Sequence, residues 1–339
     1  MRALMVARFH DSLVSQLNRL VDPEFVTWDP SDSWSSAELS RRLRGFHILT
    51  TEEQGPVGPI DQEVLANAAD LKAIITARRR PRVDLDAATK AGVLVFNMPG
   101  LNAGAVADLN IAFILLCARP VIQAAEETKK GLWAQNPPMW RYQRFLGFEL
   151  EGATVGLIGF GAIGAEVARR LRGFGIRIVA YDPYISQEKA TALGVTLVSL
   201  ENLLKTSDFV SLHAPSKPEN RNMLGAREFR SMKRTAYFIN TARADLVEEK
   251  ALYQALEEGV IAGAALDVFH DEPLPSENPL LRLPSVIITP HIGGAISNQV
   301  YHQSQAIIDT LRQLRLGEQS PNLFNPAVLG TPQLRYRPA

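Results

Sequence analysis

The chain has 339 residues, with 36 Lys and Arg against 36 Asp and Glu and a formal net charge of zero, so no overall field would draw it onto nucleic acid or an anionic membrane. Its length suits two domains, and 46% hydrophobic with 21% charged residues is the composition of a folded globular protein. A single Cys can make neither an internal disulfide nor a thiolate metal cluster, which fits a reducing, cytoplasmic setting.

From the start, MRALMVARFH is broken by Arg8 too early for a signal segment, and the longest apolar run, 111–118, is far below a membrane span. No membrane partner is expected. Short β-branched runs then alternate with helical patterns, the signature of parallel sheets joined by crossover helices. The first hundred residues predict strands at 3–7, 25–28, 46–51, 71–77 and 93–97, with a serine-capped helix at 36–44. Residues 102–130 read as a long helix broken or kinked near Pro120, and 134–150, which mix Pro, aromatic and Arg residues without period, as a surface loop. A second series follows, with strands at 154–160, 177–182, 208–213, 236–240, 261–269 and 286–290 and a final helix at 299–316; the tail is expected to fray. Two α/β lobes joined by a long helix result.

Gly159, Gly161 and Gly164 fit G-x-G-x-x-G in the required context, between a strand and a helix, with Asp182 closing the next strand 18 residues beyond Gly164. Gly159 suits the tight turn, Gly161 the approach of backbone to a pyrophosphate, and Gly164 close helix packing. Asp182 would accept from both adenosine ribose hydroxyls and repel a 2′-phosphate, so the expected cofactor is NAD rather than NADP.

Ligands of open parallel sheets bind at the carboxyl ends of strands. In the second series those ends carry His213-Ala214-Pro215, Asn240-Thr241-Ala242-Arg243, Asp267 through Glu272-Pro273, and Pro290-His291-Ile292-Gly293-Gly294. An Arg, a Glu and a His on one edge suit hydride transfer at a 2-oxo or 2-hydroxy acid. The guanidinium can fork onto a carboxylate, and the imidazole, steadied by a carboxylate, can exchange the hydroxyl proton. Taken singly, Arg243 could cap a helix, Glu272 could be solvated and the His could be structural.

These residues, with Asn97-Met98-Pro99-Gly100, Asn102 through Asp108, Tyr181-Asp182-Pro183, Ser211 through Pro215 and Ala265 through Phe269, resemble the NAD-dependent D-isomer-specific 2-hydroxyacid dehydrogenases, the group that includes phosphoglycerate and glycerate dehydrogenases. The resemblance runs over nearly the whole chain. It implies that Arg243 binds the substrate carboxylate, Glu272 pairs with an acid/base His291, and Asp267 holds the nicotinamide carboxamide. It adds Val106, Ala162, Ile163, His213, Ala214, Pro215, Thr241, Ala242 and Gly293 to the cofactor contacts, beside Arg243 and His291. The implied fold is a Rossmann dinucleotide-binding domain at 100–290 inserted into a flavodoxin-like substrate-binding domain formed by 1–99 and 291–339. A homodimer, with the helix near Asn102 at its interface, is implied as well.

Two positions depart from the family pattern. Asp108 stands where Glu is usual, and a glycine-rich loop whose amides meet substrate is replaced by Arg78-Arg79-Arg80-Pro81-Arg82. Four guanidinium groups at a strand end would repel one another unless an anion or acids offset them. The expectation is a small anionic 2-oxo or 2-hydroxy acid with a second anionic group, gripped by Arg78, Arg79 or Arg80 while Arg243 holds the other end. Against it stands pairing of these arginines with Glu52 and Glu53, or solvent exposure.

Other readings are weaker. A nucleic-acid role for the arginine run conflicts with the neutral chain. Cys117, in an apolar helix, reads as a buried small hydrophobe rather than a nucleophile. Trp133, Trp140 and Tyr142 read as packing residues, and His10, His47, His270 and His302 lack metal-ligand spacing, so no metal is expected. The competing function is an NAD-sensing corepressor of the same fold, which would keep the Arg, Glu and His; the absence of long disordered arms favours the enzyme.

Overall fold

The computed structural model describes every residue except 30, 53, 54, 78–80, 99 and 337–339. Two compact units emerge, Met1–Leu101 with Ile296–Ala339, and Asn102–Ala295.

In the first unit, β1 (Arg2–Met5), β2 (Asp22–Phe25), β3 (Ile48–Thr51), β4 (Ala73–Thr76) and β5 (Leu94–Asn97) form one parallel sheet in the order β2-β1-β3-β4-β5. This is the flavodoxin-like order, with its switch point between β1 and β3. The pleat sends alternate residues to opposite faces. Met5 and Ile75 join Leu17, Ile307, Leu311 and Leu314 on one side, while Leu4 and Ile74 join Leu39, Leu49 and Leu65 on the other. The helix Ser36–Arg42 covers the second face and is capped by Ser35, whose hydroxyl accepts from the Glu38 amide at 3.2 Å. The helix Gln299–Leu316 covers the first and stops at Gly317, in the left-handed region at φ 68°.

The strand expected at 25–28 lies instead at Asp22–Phe25. Its register on β1 runs from Arg2 with Asp22 to Met5 with Phe25, and an edge position tolerates Pro23. The apolar residues that suggested a strand pack as loop, with the Trp28 indole donating to the Val6 carbonyl at 2.8 Å.

The second unit holds β6 (Thr154–Ile158), β7 (Arg177–Tyr181), β8 (Thr196–Leu197), β9 (Phe209–Leu212), β10 (Tyr237–Asn240), β11 (Gly263–Leu266) and β12 (Val286–Ile288). All are parallel, in the order β12-β11-β10-β9-β6-β7-β8, a doubly wound Rossmann arrangement whose switch point falls between β6 and β9. The stretch expected as a long helix broken or kinked near Pro120 is broken there into two, Ala103–Ala118 and Val121–Lys129, bent by 69°. Within the first, Asn110 is fully buried and donates from Nδ2 to Ser211 Oγ at 2.7 Å and Thr241 Oγ1 at 3.4 Å, tying the helix to β9 and to the loop after β10.

Residues 134–150 are not loop throughout. Single-turn helices form at Leu132–Gln135 and Trp140–Arg144, the second steadied by Trp140 edge-on to Phe145 at 5.1 Å. Among the described residues no single helix is long and apolar enough to cross a membrane.

The second unit runs to Ala295, so residues 291–295 lie with it rather than with the terminal segment. The cause is a set of hydrogen bonds that anchors the turn after β12 to Asp267.

Candidate active site

Three glycines after β6 each answer a different steric demand. At Gly159 (φ 92°) an added Cβ would lie 2.6 Å from the Ala214 amide nitrogen, so only glycine lets this turn pass the loop after β9. At Gly164 it would lie 2.6 Å from the Gly159 carbonyl oxygen, which permits close approach of helix Ala162–Leu171 to its strand. At Gly161 it would meet nothing within 4 Å, which leaves open space before the loop. The helix start carries no side-chain cap, so the amides around Ala162 and Ile163 face that space with the positive end of the helix dipole.

Asp182 follows β7. Its carboxylate accepts from the Phe160 amide at 2.8 Å and the Tyr184 amide at 2.9 Å, which fixes it beside the glycine turn with lone pairs remaining for ribose hydroxyls. The uncapped helix start, the open space at Gly161 and this acid fit NAD.

His213 follows β9 and is buried. Its amide donates to the Ile158 carbonyl at 2.7 Å, and its Nε2 lies 3.0 Å from Ser211 Oγ. Among the described residues its Nδ1 has no hydrogen-bond partner. Burial pushes the imidazole down to about 3, so the ring is neutral. Pro215 accepts from Asn220 Nδ2 at 2.8 Å. After β10, Asn240 braces the Thr241-Ala242-Arg243 turn: its Oδ1 accepts from the Ala242 amide at 3.0 Å and its Nδ2 donates to the Arg243 carbonyl at 3.1 Å. Arg243 is partly exposed and donates from Nη1 to the Ala242 carbonyl. No hydrogen bond joins it to Glu272 or His291 among the described residues.

Glu272 and His291 do meet, with His291 Nδ1 2.6 Å from Glu272 Oε2. The other carboxylate oxygen accepts from the Phe269 amide at 3.0 Å. Burial raises the Glu272 carboxyl, but the bonds from His291 and Phe269, with the His291 charge, outweigh it and hold the group below the usual carboxylate range. With Nδ1 engaged, Nε2 is the nitrogen left to exchange a proton with a ligand.

Among the described residues His291 is one of two non-glycine residues with positive φ, at 54°. Such a backbone persists only where its surroundings over-determine it. Here Asp267 does so. It is 1% exposed, and its Oδ1 accepts from the Ile292 amide at 2.8 Å and the Thr289 hydroxyl at 2.5 Å, while Oδ2 accepts from the Gly293 amide at 2.8 Å. An added Cβ on Gly293 would fall 3.0 Å from Asp267 Oδ2 and 3.4 Å from a Val106 methyl, so Val106, Gly293 and Asp267 share one corner.

The expected residues therefore gather in two groups, Gly159 to Gly164 with Asp182 and Ala214, and Asp267, Glu272 and His291 with Val106 and Gly293. Arg78, Arg79, Arg80 and Glu53 lie outside the described residues. Glu52, 2% exposed at the first unit's switch point, is engaged by Arg8 Nε at 2.7 Å and Gln303 Nε2 at 2.9 Å. Sequence reasoning passed over Arg8, Gln303 and Asn110. Applying the strand-end rule to β1 points to Arg8, and a lone amide in an apolar helix marks Asn110. Gln303 carries no comparable signal.

Residues 111–293 match the model for the NAD binding domain of the D-isomer specific 2-hydroxyacid dehydrogenases. A glyoxylate reductase of Korarchaeum cryptofilum is 41% identical over 80% of this chain and 81% of its own length. A D-3-phosphoglycerate dehydrogenase of Methanocaldococcus jannaschii is 35% identical over 96% of this chain, which spans 59% of that protein. Among solved structures, a D-isomer specific 2-hydroxyacid dehydrogenase from Lactobacillus delbrueckii ssp. bulgaricus in its NAD complexed form superposes with TM-score 0.78 at 26% identity, covering 96% of this chain and 100% of that one. Glycine turn, doubly wound sheet, family model and relatives agree: the chain belongs to the D-isomer specific 2-hydroxyacid dehydrogenase family and is an NAD-dependent oxidoreductase.

Proposed function

We propose that this enzyme reversibly reduces a small 2-oxo acid to the D-2-hydroxy acid, with glyoxylate the first substrate to test because several relatives are glyoxylate reductases. The observation that carries the reading is the 2.6 Å His291–Glu272 pair on the carboxyl edge of the NAD-binding sheet, the edge that also bears Arg243.

In this proposal Arg243 forks onto the substrate carboxylate and draws charge onto the carbonyl oxygen. When bound, NADH supplies the hydride to C2. The protonated imidazole of His291 gives the proton at Nε2 to the carbonyl oxygen, which becomes the hydroxyl. Glu272 holds the ring by Nδ1 throughout and stabilises its charge. Thus 2-oxo acid, NADH and one proton become 2-hydroxy acid and NAD⁺. The turn at Gly159, Gly161, Ala162, Ile163 and Gly164 would hold the pyrophosphate and Asp182 the adenosine ribose. Val106, His213, Ala214, Pro215, Thr241, Ala242 and Gly293 would line the remaining cofactor surface. Asp267 would hold the carboxamide with what acceptor capacity its backbone bonds leave.

We further propose that Arg78, Arg79 and Arg80 select a substrate with a second anionic group, a phosphate or distal carboxylate. NADH oxidation with glyoxylate, pyruvate, 2-oxoglutarate and 3-phosphohydroxypyruvate tests both parts. Best use of a small monoanion, with a ranking unmoved by Arg78→Ala, Arg79→Ala or Arg80→Ala, removes the arginine proposal. NADH binding with no turnover on any substrate favours the corepressor reading.

A homodimer is proposed from the apolar surface between residues 115 and 148, where Leu115, Val121, Ile122, Trp133, Met139 and Tyr142 are exposed. Sedimentation equilibrium at the monomer mass would refute it. The lone buried Cys117 supports a cytoplasmic setting.

A further inference from the structure

The first unit has a second charged region at the opposite edge of its sheet, where β1, β2 and β4 begin. A cavity of about 780 Å³ there is lined by Arg19, Leu20, Val21, Lys72, Arg315 and Tyr336 among others, with Asp22 its acid. An adjoining cavity of about 530 Å³ shares Arg19 and Leu20 and adds Arg312.

Cations dominate this groove. Arg315 Nη1 donates to the Arg19 carbonyl at 2.7 Å, which brings the Arg315 guanidinium against residue 19. Among the described residues Arg19, Lys72 and Arg315 enter no ion pair; Arg312 is bonded to Asp309 at 3.1 Å and Gln16 at 2.7 Å. A neighbouring imidazole senses the field. His47 is pushed down first by burial and then by the charges of Lys72 and the Met1 amine, with Asp70 opposing them. Three cations without an ion-pair partner among the described residues thus surround one concavity, with Asp22 the one carboxylate in its lining.

Of the lining residues, Val21 and Tyr336 are buried, and the Tyr336 hydroxyl donates to the Leu314 carbonyl at 2.8 Å, so the hydroxyl is already engaged within the fold. The volume suits a small metabolite. Three cations against one carboxylate match a compact body carrying two or more oxyanion charges.

We propose that this groove is a binding site for a multivalent oxyanion, a phosphate ester or a polycarboxylate, held by Arg19, Lys72 and Arg315. Guanidinium groups bind either class through paired N–H donors. The site lies at the amino edge of its sheet, so its occupancy does not depend on the hydride chemistry proposed for the other unit.

The test is calorimetric titration of the NADH-saturated enzyme at low ionic strength with inorganic pyrophosphate and, separately, citrate. Prior saturation with NADH keeps the probe from the glycine turn. Saturable binding is expected, weakened at least tenfold by Arg19→Gln with Arg315→Gln and measurably by Lys72→Gln alone. Arg19 and Arg315 are exposed, so folding and glyoxylate turnover in buffer free of pyrophosphate and citrate should stay within twofold of native. Tighter pyrophosphate identifies a phosphate ester as the ligand class, and tighter citrate a polycarboxylate. Absence of saturable binding overturns the proposal. So does equal binding by native and double variant, or an equal loss in Arg227→Gln, an exposed arginine of the other unit.

Discussion

Asn in place of Asp267 removes a charge while nearly preserving shape, so it isolates what the carboxylate does for the turn that carries His291. Three donors converge on this buried group, the Thr289 hydroxyl and the Ile292 and Gly293 amides. A carboxamide has one accepting oxygen. If that oxygen keeps Thr289 and Ile292, the NH₂ group faces the Gly293 N–H, donor against donor. Losing charge assistance on two bonds and leaving one buried amide unpaired costs about 3 to 5 kcal/mol. For a unit of this size that lowers Tm by roughly 6 to 20 °C. The turn also loses what holds His291 at positive φ, and an imidazole displaced by about 1 Å costs about a hundredfold in rate. The assay is thermal unfolding by circular dichroism beside kcat for glyoxylate reduction and NADH affinity by fluorescence. Lower Tm and kcat, with a smaller loss of NADH affinity from the carboxamide contact, is the expected pattern. Unchanged Tm with weakened NADH binding would mean that Asp267 acts on the cofactor and not on the turn, refuting the clamp.

His291→Ala should lower kcat for reduction by roughly a hundredfold or more with NADH affinity unchanged, as measured by steady-state kinetics and fluorescence titration; near-native turnover would exclude it as the proton donor. Asp182→Ala should narrow the preference for NADH over NADPH by about tenfold or more, and equal use of both cofactors by the native enzyme would show that the acid does not face the ribose. His213 predicts an acid sensitivity: its folded value of about 3 lies below the usual 6.5, so the unfolded chain takes up the extra proton between them. Its contribution is therefore complete above pH 6.5 and falls as the pH drops, by about 2 kcal/mol at pH 5. Urea unfolding at pH 7 and 5 should show a smaller difference in His213→Gln than in native protein, and an equal difference removes the assignment.

The parallel architecture was legible because buried strands such as Ile48–Thr51 and Ala73–Thr76 are apolar or β-branched on both faces, a pattern that needs no tertiary knowledge. The glycine turn was legible for a similar reason, since Gly159 and Gly164 answer contacts that follow directly from strand, turn and helix. Edge elements were not. β2 is half polar and contains Pro23, so its pairing is decided by β1 rather than by its own pattern, and β8 is two residues long. The short helices at Leu132–Gln135 and Trp140–Arg144 have too few turns to show a period. In the site, the residue types at the strand ends could be read, but the work of Asp267 could not. Its partners are mostly backbone amides, which every sequence supplies everywhere; only the fold selects Ile292 and Gly293.

Glu52 and the helix that reaches it set an order of events on the ribosome. Gln303, which bonds Glu52, and Ile307, Leu311 and Leu314, which cover one face of the first sheet, are made just over two hundred residues after Leu101. At ordinary elongation rates that is a wait of roughly 10 to 40 s. During it the nascent amino-terminal segment has Met5, Leu17 and Ile75 without their final cover, while the unit from Asn102 to Ala295 emerges whole and can close first. The middle of the chain is thus the part able to mature early, and its beginning must wait for its end.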